Sequence, residues 1–440
     1  MKSKMLPPTK QLKLYAIYAK AIYHNMKLIR DAFNSVMKDI TPSRYHDTIT
    51  ITPHIKKIVP SIMGRILAKP IIAEITMPQA NVSSMDGFAV RAVDIKTIPT
   101  TLRIIGESHA GKPCNAALKK HQAIKIFTGG IIPKNANSVI IVEHTEQKNN
   151  FVIIKKIPTK QNFIRPRGLD FKKGDILIKK NHIITARGIA LIIASGQKKI
   201  ILYRQPTIGI LSTGNELQPI NKNLTPQQIY PSNSYSLFAL INHSGGQAID
   251  LGYARDNPTN IAKKLKHAKH CDFIVTTGGA SIGEKDFIKE VIENKKYGLK
   301  GQINFWKIAM RPGKPIIVGR LHKNRCHFLG LPGNPTSALV TGLLFIPAMI
   351  KKWQGLKPIF LDDITIPMPL AINLSANGER QEYMRAKIIN QKIMPLPHQD
   401  SSMLKFLYDS NALIIRPIND PKKHIGDMVQ VLPLNPFYLY

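Results

Sequence analysis

The residues best placed to do chemistry lie in the stretch DFIVTTGGASIGEKD, Asp272 to Asp286. Phe273 to Val275 is an apolar run with a β-branched centre, stopped by Gly278-Gly279, and it reads as a buried parallel strand. Beyond it Phe287, Ile288, Val291 and Ile292 fall on one helical face. Gly278, Gly279, Ser281 and Gly283 form the link, with no bulky side chain before the helix begins. A strand, a small-residue loop and a helix N-terminus together present backbone N–H groups to an anion. Glu284 and Asp286 follow, where a metal ion could meet a bound phosphate. The spacing of Gly278 and Gly283 is that of a nucleotide P-loop, but Glu284 and Lys285 occupy the positions of its phosphate-binding lysine and Mg²⁺-binding hydroxyl. That excludes a P-loop.

Such a loop needs a parallel sheet, and the chain supplies one from Pro206 onward. GILST (209–213) leads into Gly214-Asn215-Glu216, and AIDLGYARD (248–256) ends at Asp256. Helices are predicted over 233–242 and 260–270, strands over 315–321 and 327–331. Pro332-Gly333-Asn334-Pro335 then opens a helix running through Trp353, with Asn334 as its N-cap and Pro335 at its first position. Repeated βα units imply a parallel sheet that binds ligands off the carboxyl ends of its strands. Gly214, Glu216, Asp256, Gly278, Gly279, Asp286 and Gly333 all fall at such ends.

The preceding half differs in character. Helical spacing covers 26–39 and 59–67, with a short strand at 48–52. Asp86 stands beside Gly87 in a turn that precedes an alternating segment, and 101–146 is β-rich. Thr128-Gly129-Gly130 is a second small-residue loop, FIRPRGLDFKKGD (163–175) carries Asp170 in a turn-rich connector, and 183–195 reads as helix. After about Lys357 prolines thicken and strands dominate.

A chain of 440 residues with a hydrophobic fraction of 43% exceeds one ordinary core, so two to four domains are expected. Its three cysteines show no C-x-x-C spacing, which points to a reducing compartment and away from structural zinc or disulfides. The 63 Lys and Arg against 27 Asp and Glu give a net charge of +36, a field that attracts anions of every kind. The lysines are spread along the chain, and neither a zinc finger nor an RNP signature is present, which argues against a nucleic-acid partner. The basic segment 1–25 has no signal-peptide core, and no later run reaches membrane-spanning length without charge or proline; a cytoplasmic protein is expected.

The ordered set SSMDGFAV, IFTGGIIP, RPRGLD, LSTGNEL, TTGGASIGEKDF, WKIAMRPGKP, LPGNPTSA and GERQEYMRAK resembles the molybdopterin molybdenumtransferase family, the MoeA and gephyrin E-domain type. The resemblance runs from about Arg65 to the C-terminus. It implies a multidomain α/β plus β fold: a linker domain (26–75 and 166–204), a small β-rich domain (76–165), a parallel-sheet molybdopterin-binding domain (205–356) and a C-terminal β domain (357–440). The implied reaction inserts molybdate, a substrate, into adenylylated molybdopterin with release of AMP and with help from Mg²⁺. A homodimer and a contact with the adenylyltransferase of the same pathway are implied as well.

By that resemblance Asp86, Thr128, Asp170, Glu216 and Asp286 are catalytic, Asp86 and Thr128 reaching the site of the partner subunit. Glu216, Asp256 and Asp286 hold the metal. Gly214, Asn215, Gly278, Gly279, Ser281, Gly283, Gly333, Asn334 and Ser337 bind the pterin substrate, and Lys307, Arg311, Pro332, Pro335, Arg385 and Ser401 the molybdate. The chain departs from the pattern at Asn215 and Leu169, where the family carries acids, and at Arg311, which replaces a lysine. Loss of two negative charges near the metal site defines the alternative, a weakened paralogue acting as a pterin-binding or scaffold protein.

Overall fold

The computed structural model describes residues 27–158, 162–279, 287–323 and 325–434. Ser281, Gly283, Glu284 and Asp286 lie outside the described residues, as does the segment 1–26. The chain divides into two compact units, one running to Tyr45 and resuming at Tyr203, the other spanning His46–Leu202.

The larger unit is built on a six-stranded sheet. Its strands are β1 (Thr207–Thr213), β2 (Gln247–Ala254), β3 (Phe273–Thr277), β4 (Gln302–Lys307), β5 (Pro315–Leu321) and β6 (Cys326–Leu331), in the order β2-β1-β3-β6-β5-β4. The pairs β1/β2, β1/β3 and β3/β6 are parallel, as the βα alternation requires. The expectation of a parallel sheet fails only at one edge, where β5 and β4 are antiparallel. The reason is local: β5 returns to β6 through a short turn near Lys323, too short for a crossover helix. β3 and β6 are buried at every position, the mark of strands covered on both faces.

Helices α1 (Ile29–Asp39), α2 (Ser232–His243), α3 (Pro258–His267), α4 (Phe287–Glu293) and α5 (Pro335–Trp353) cover this sheet. One core joins α1, α2 and α5 to one sheet face, and a second joins α3 and α4 to the other. Periodicity placed α1 correctly, and its apolar face of Ile29, Phe33, Val36 and Met37 shares the core of the large sheet. Phe33 packs against Phe345 and Phe360, with ring centroids 6.1 and 4.9 Å away. Strands Gln381–Ile389, Ala412–Arg416 and Met428–Pro433 form the centre of the C-terminal sheet, which Met310–Arg311 joins by pairing with Gln381–Glu382. A tie in main-chain hydrogen bonds thus links the end of the α/β segment to the C-terminal β segment.

The smaller unit holds a six-stranded sheet of its own, with Gly87–Val90 between Ser138–Ile141 and Gln122–Ile126. The alternating segment expected after Asp86 is instead buried throughout, because this strand is central. The helix expected over 59–67 spans Ile55–Ile62; Gly64, at φ +71°, turns the chain into an extended segment that bridges Ile66 to Ile183. Its core pairs Ile58 and Ile62 with Ile184, Ile192 and Leu202.

His327 on β6 stacks on Phe273 at 4.9 Å, and burial, with Arg320 adding to it, pushes the imidazole down to about 3. Its ordinary value is 6.5, so below that pH the unfolded chain binds the proton that the folded chain refuses. Stability is therefore expected to fall as pH drops from 6.5 towards 3, and urea melts of His327→Gln should show a shallower loss than the wild type over that window.

Candidate active site

Pairing register decides what meets at the carboxyl edge of the large sheet. Thr213 of β1 stands opposite Ala254 of β2, Ser212 opposite Thr277 of β3, and Thr277 opposite Leu331 of β6. Four strands therefore end level, and the four loops that follow open onto one cleft of about 900 Å³. Gly214, Asn215 and Glu216 come from the first loop, Asp256 from the second, Gly278 and Gly279 from the third, and Pro332, Gly333 and Asn334 from the fourth. The arrangement expected from the βα alternation is present for all of these.

Glycine is required at two of these positions by geometry. Gly278 has φ +86°, and a side chain there would run into the Thr213 carbonyl oxygen; Gly279 has φ +68°, with Thr213 Oγ1 2.8 Å from where a Cβ would sit. The third loop thus lies directly on the end of β1. The Glu216 carboxylate folds back over Gly214, whose added Cβ would be 2.5 Å from Oε1. Asn215 Oδ1 accepts the backbone N–H of Asp256 at 3.1 Å, tying the first loop to the second. An aspartate could accept the same bond, so the Asn215 substitution removes charge without removing this tie.

The far wall comes from segment 311–315 and from the C-terminal β segment, through Arg311, Gly313, Lys314, Arg380, Gln399, Asp400 and Ser401. Arg311 lies 3.4 Å from Glu382 through its Nε. The lining of the cleft combines three cations, Arg311, Lys314 and Arg380, with three carboxylates, Glu216, Asp256 and Asp400. Asn334 occupies the N-cap position of α5, but its side chain leaves the helix uncapped and donates instead to Ser401 Oγ at 2.7 Å. Ser337, in the first turn of that helix, also lines the cleft.

The anion set expected from the sequence separates into two groups. Arg311, Pro332 and Ser401 line the cleft, and Pro335 lines a chamber adjoining it. Lys307 is half-buried at the end of β4 and does not line the cleft. Arg385 is 1% exposed and spends its guanidinium on the protein: Nη1 donates to the carbonyls of Asp400 (2.9 Å) and Met403 (3.1 Å) and to Thr336 Oγ1 (3.3 Å), and Nε to Gln399 Oε1 (3.3 Å). It shapes the Gln399–Ser401 wall from behind. Lys314, Arg380, Gln399 and Asp400 were not singled out from sequence, although they stand inside the RPGKP, GERQEYM and HQDSSM stretches. The signal available was a cation beside glycine in a stretch already marked.

In the smaller unit Asp86 and Thr128 meet as expected. Thr128 donates its backbone N–H at 2.7 Å and its hydroxyl at 2.8 Å to Asp86 Oδ1, and these two bonds, the N–H first, hold the carboxyl below its ordinary range. Asp170 is exposed, its backbone N–H bonded to the Met77 carbonyl at 3.1 Å. Among the described residues no three His, Cys, Asp or Glu side chains gather as a metal-ligating group.

A glycine loop and acidic side chains at the carboxyl edge of a mostly parallel sheet define a phosphate-compound-binding α/β protein. The comparisons make the class specific: residues 209–351 match a probable molybdopterin binding domain, 29–196 the MoeA N-terminal region (domain I and II), and 367–434 the MoeA C-terminal region (domain IV). The chain is 34% identical over 379 residues to the molybdopterin molybdenumtransferase of Haemophilus influenzae, covering 84% of this chain and 92% of that one. It is 31% identical over 387 residues to that of Bacillus subtilis, covering 84% and 87%. The crystal structure of a molybdopterin biosynthesis MoeA protein from Pyrococcus horikosii superposes with a TM-score of 0.77 at 28% identity, covering 93% of this chain and 100% of that chain. The chain belongs to the molybdopterin molybdenumtransferase family, the enzymes of molybdenum cofactor biosynthesis.

Gly278→Ala should force the third loop off the Thr213 carbonyl and place a side chain at positive φ, costing about 1–3 kcal/mol. Denaturant melts will show a folded, less stable protein, and isothermal titration with molybdopterin should show binding weakened by tenfold or more if the loop holds the ligand.

Proposed function

We propose that this enzyme takes adenylylated molybdopterin and molybdate, cleaves the adenylate, releases AMP and leaves molybdenum on the dithiolene. One observation carries the reading: the glycine loop, three carboxylates and three cationic side chains line the same cleft. The backbone at Gly278 and Gly279 and the N-terminus of α5 suit an anionic phosphate. Molybdate, a tetrahedral dianion, needs fixed cations and hydroxyl or backbone donors, which Arg311, Lys314, Arg380 and Ser401 offer. Arg385 acts on that anion through the wall it braces.

Mg²⁺ is held by one or two carboxylates together with substrate phosphate oxygens and waters, so Glu216 and Asp256 on one wall fit it without a third described ligand. Those two residues would hold the ion, with Asp286 as the further acid suggested by the sequence. When bound it supplies positive charge against the phosphoric anhydride. Asn215 stays neutral beside them and fixes the Asp256 backbone.

The division into linker, small β, molybdopterin-binding and C-terminal β domains belongs to the same proposal. So do a cytoplasmic location and a contact with the adenylyltransferase that supplies the substrate. Among the described residues no helix is long and apolar enough to cross a membrane. The working form is a homodimer, in which Asp86 and Thr128 of one copy complete the site of the other.

Purified protein given adenylylated molybdopterin, molybdate and Mg²⁺ should release AMP, and Asp256→Ala should slow release by about 10²-fold or more while still binding pterin. Pterin binding with no AMP from the wild type would sink the enzymatic reading. Mixing inactive Asp86→Ala with inactive Glu216→Ala subunits should restore about a quarter of the wild-type rate, as one intact shared site in half of the dimers requires. No recovery on mixing would place the two residues in one chain's site.

A further inference from the structure

Off the cleft opens a small chamber of about 40 Å³, set between the end of β1, the end of β3 and the first turn of α2. It shares Thr213, Glu216, Gly278 and Gly333 with the cleft, and adds Ser212, Asn233 and Thr277 of its own. Among the described residues, three buried oxygens of residues lining it have no hydrogen-bond partner: Ser212 Oγ, Thr213 Oγ1 and Asn233 Oδ1. Ser212 and Thr213 are each 3% exposed, so bulk water does not compensate them.

The Asn233 amide cannot resolve this by turning over. Its Nδ2 donates to the Gly333 carbonyl at 2.8 Å and to Thr277 Oγ1 at 2.9 Å, and a flip would set oxygen against the carbonyl oxygen. Thr277 in turn gives its proton to the Pro332 carbonyl at 3.2 Å. Asn233 Oδ1 is therefore an obligatory acceptor.

Charge narrows the occupant. The chain carries 63 Lys and Arg, yet among the described residues no Lys, Arg or His lines the chamber, and the one charged residue that does is Glu216. Hydroxyl and amide oxygens with a single carboxylate are ligands for a hard cation. The volume takes one ion and leaves little room for the water shell that Mg²⁺ keeps. We propose that the chamber binds one alkali-metal cation, held by Ser212, Asn233 and Glu216. The ion ties the end of β1 to the start of α2 and orients Glu216 for the cleft. This inference does not rest on the AMP-releasing reading, because its readouts use no substrate.

Melting of the full chain is compared in KCl, NaCl and choline chloride at equal ionic strength. One alkali chloride should raise the Tm above choline by about 2–4 °C, and Ser212→Ala and Asn233→Ala should each lose that increment. Wild-type crystals soaked in thallium(I) should show an anomalous peak among Ser212, Asn233 and Glu216. Equal melting in the three salts, or water-strength density in the chamber with no anomalous peak, overturns the proposal.

Discussion

Parallel register is the constraint on which the rest of the larger unit depends. Because β1, β2, β3 and β6 run the same way and end level, the residue after each strand meets the residue after its neighbours without help from the loops. Gly278 settles against the Thr213 carbonyl, and the Glu216 carboxylate settles over Gly214, because neither glycine carries a Cβ. A shift of one residue between β1 and β3 would lift Gly278 off that carbonyl and send alternate side chains to the wrong face. The burial of β3 and β6 at every position makes such a shift costly, so the packing that stabilises the sheet also fixes the cleft.

The opposite wall is held by different means. Arg385 is buried under the segment it braces, and its carbonyl and hydroxyl contacts fix the backbone from Gln399 to Met403. A buried guanidinium is tolerated when its N–H groups find acceptors, and here four of its described bonds do so. A residue whose type suggests an anion ligand thus serves as a brace. Arg311, Lys314 and Arg380, by contrast, line the cleft itself.

Much of this could be read in the sequence, and the failures have physical causes. Strand β3, the turn at Gly278-Gly279 and the α5 boundary at Pro335–Trp353 follow from local signals: β-branched runs, paired glycines, a proline at the first helical turn. Long-range facts left weaker marks. Periodicity showed that α1 has an apolar face, but a face does not name its partner, and that helix shares its core with a sheet almost two hundred residues downstream. The antiparallel edge strands looked like the parallel ones, since both are apolar runs of similar length. Arg385 and Arg380 sit five positions apart in one motif, one buried and one lining the cleft, and only the strand's place in its sheet decides between them.

Charge acts at two scales in this molecule. At long range the excess of 63 basic over 27 acidic side chains draws phosphorylated and oxyanionic molecules towards the surface and speeds encounter. That field is blind to which anion arrives. At short range the cleft carries both signs, with Glu216 and Asp256 in the loops after the strands and Arg311, Lys314, Arg380 and Asp400 in the remaining lining. A carboxylate pair in so basic a chain needs local compensation for its isolation, and backbone ties such as Asn215 to Asp256 keep the acids where they are.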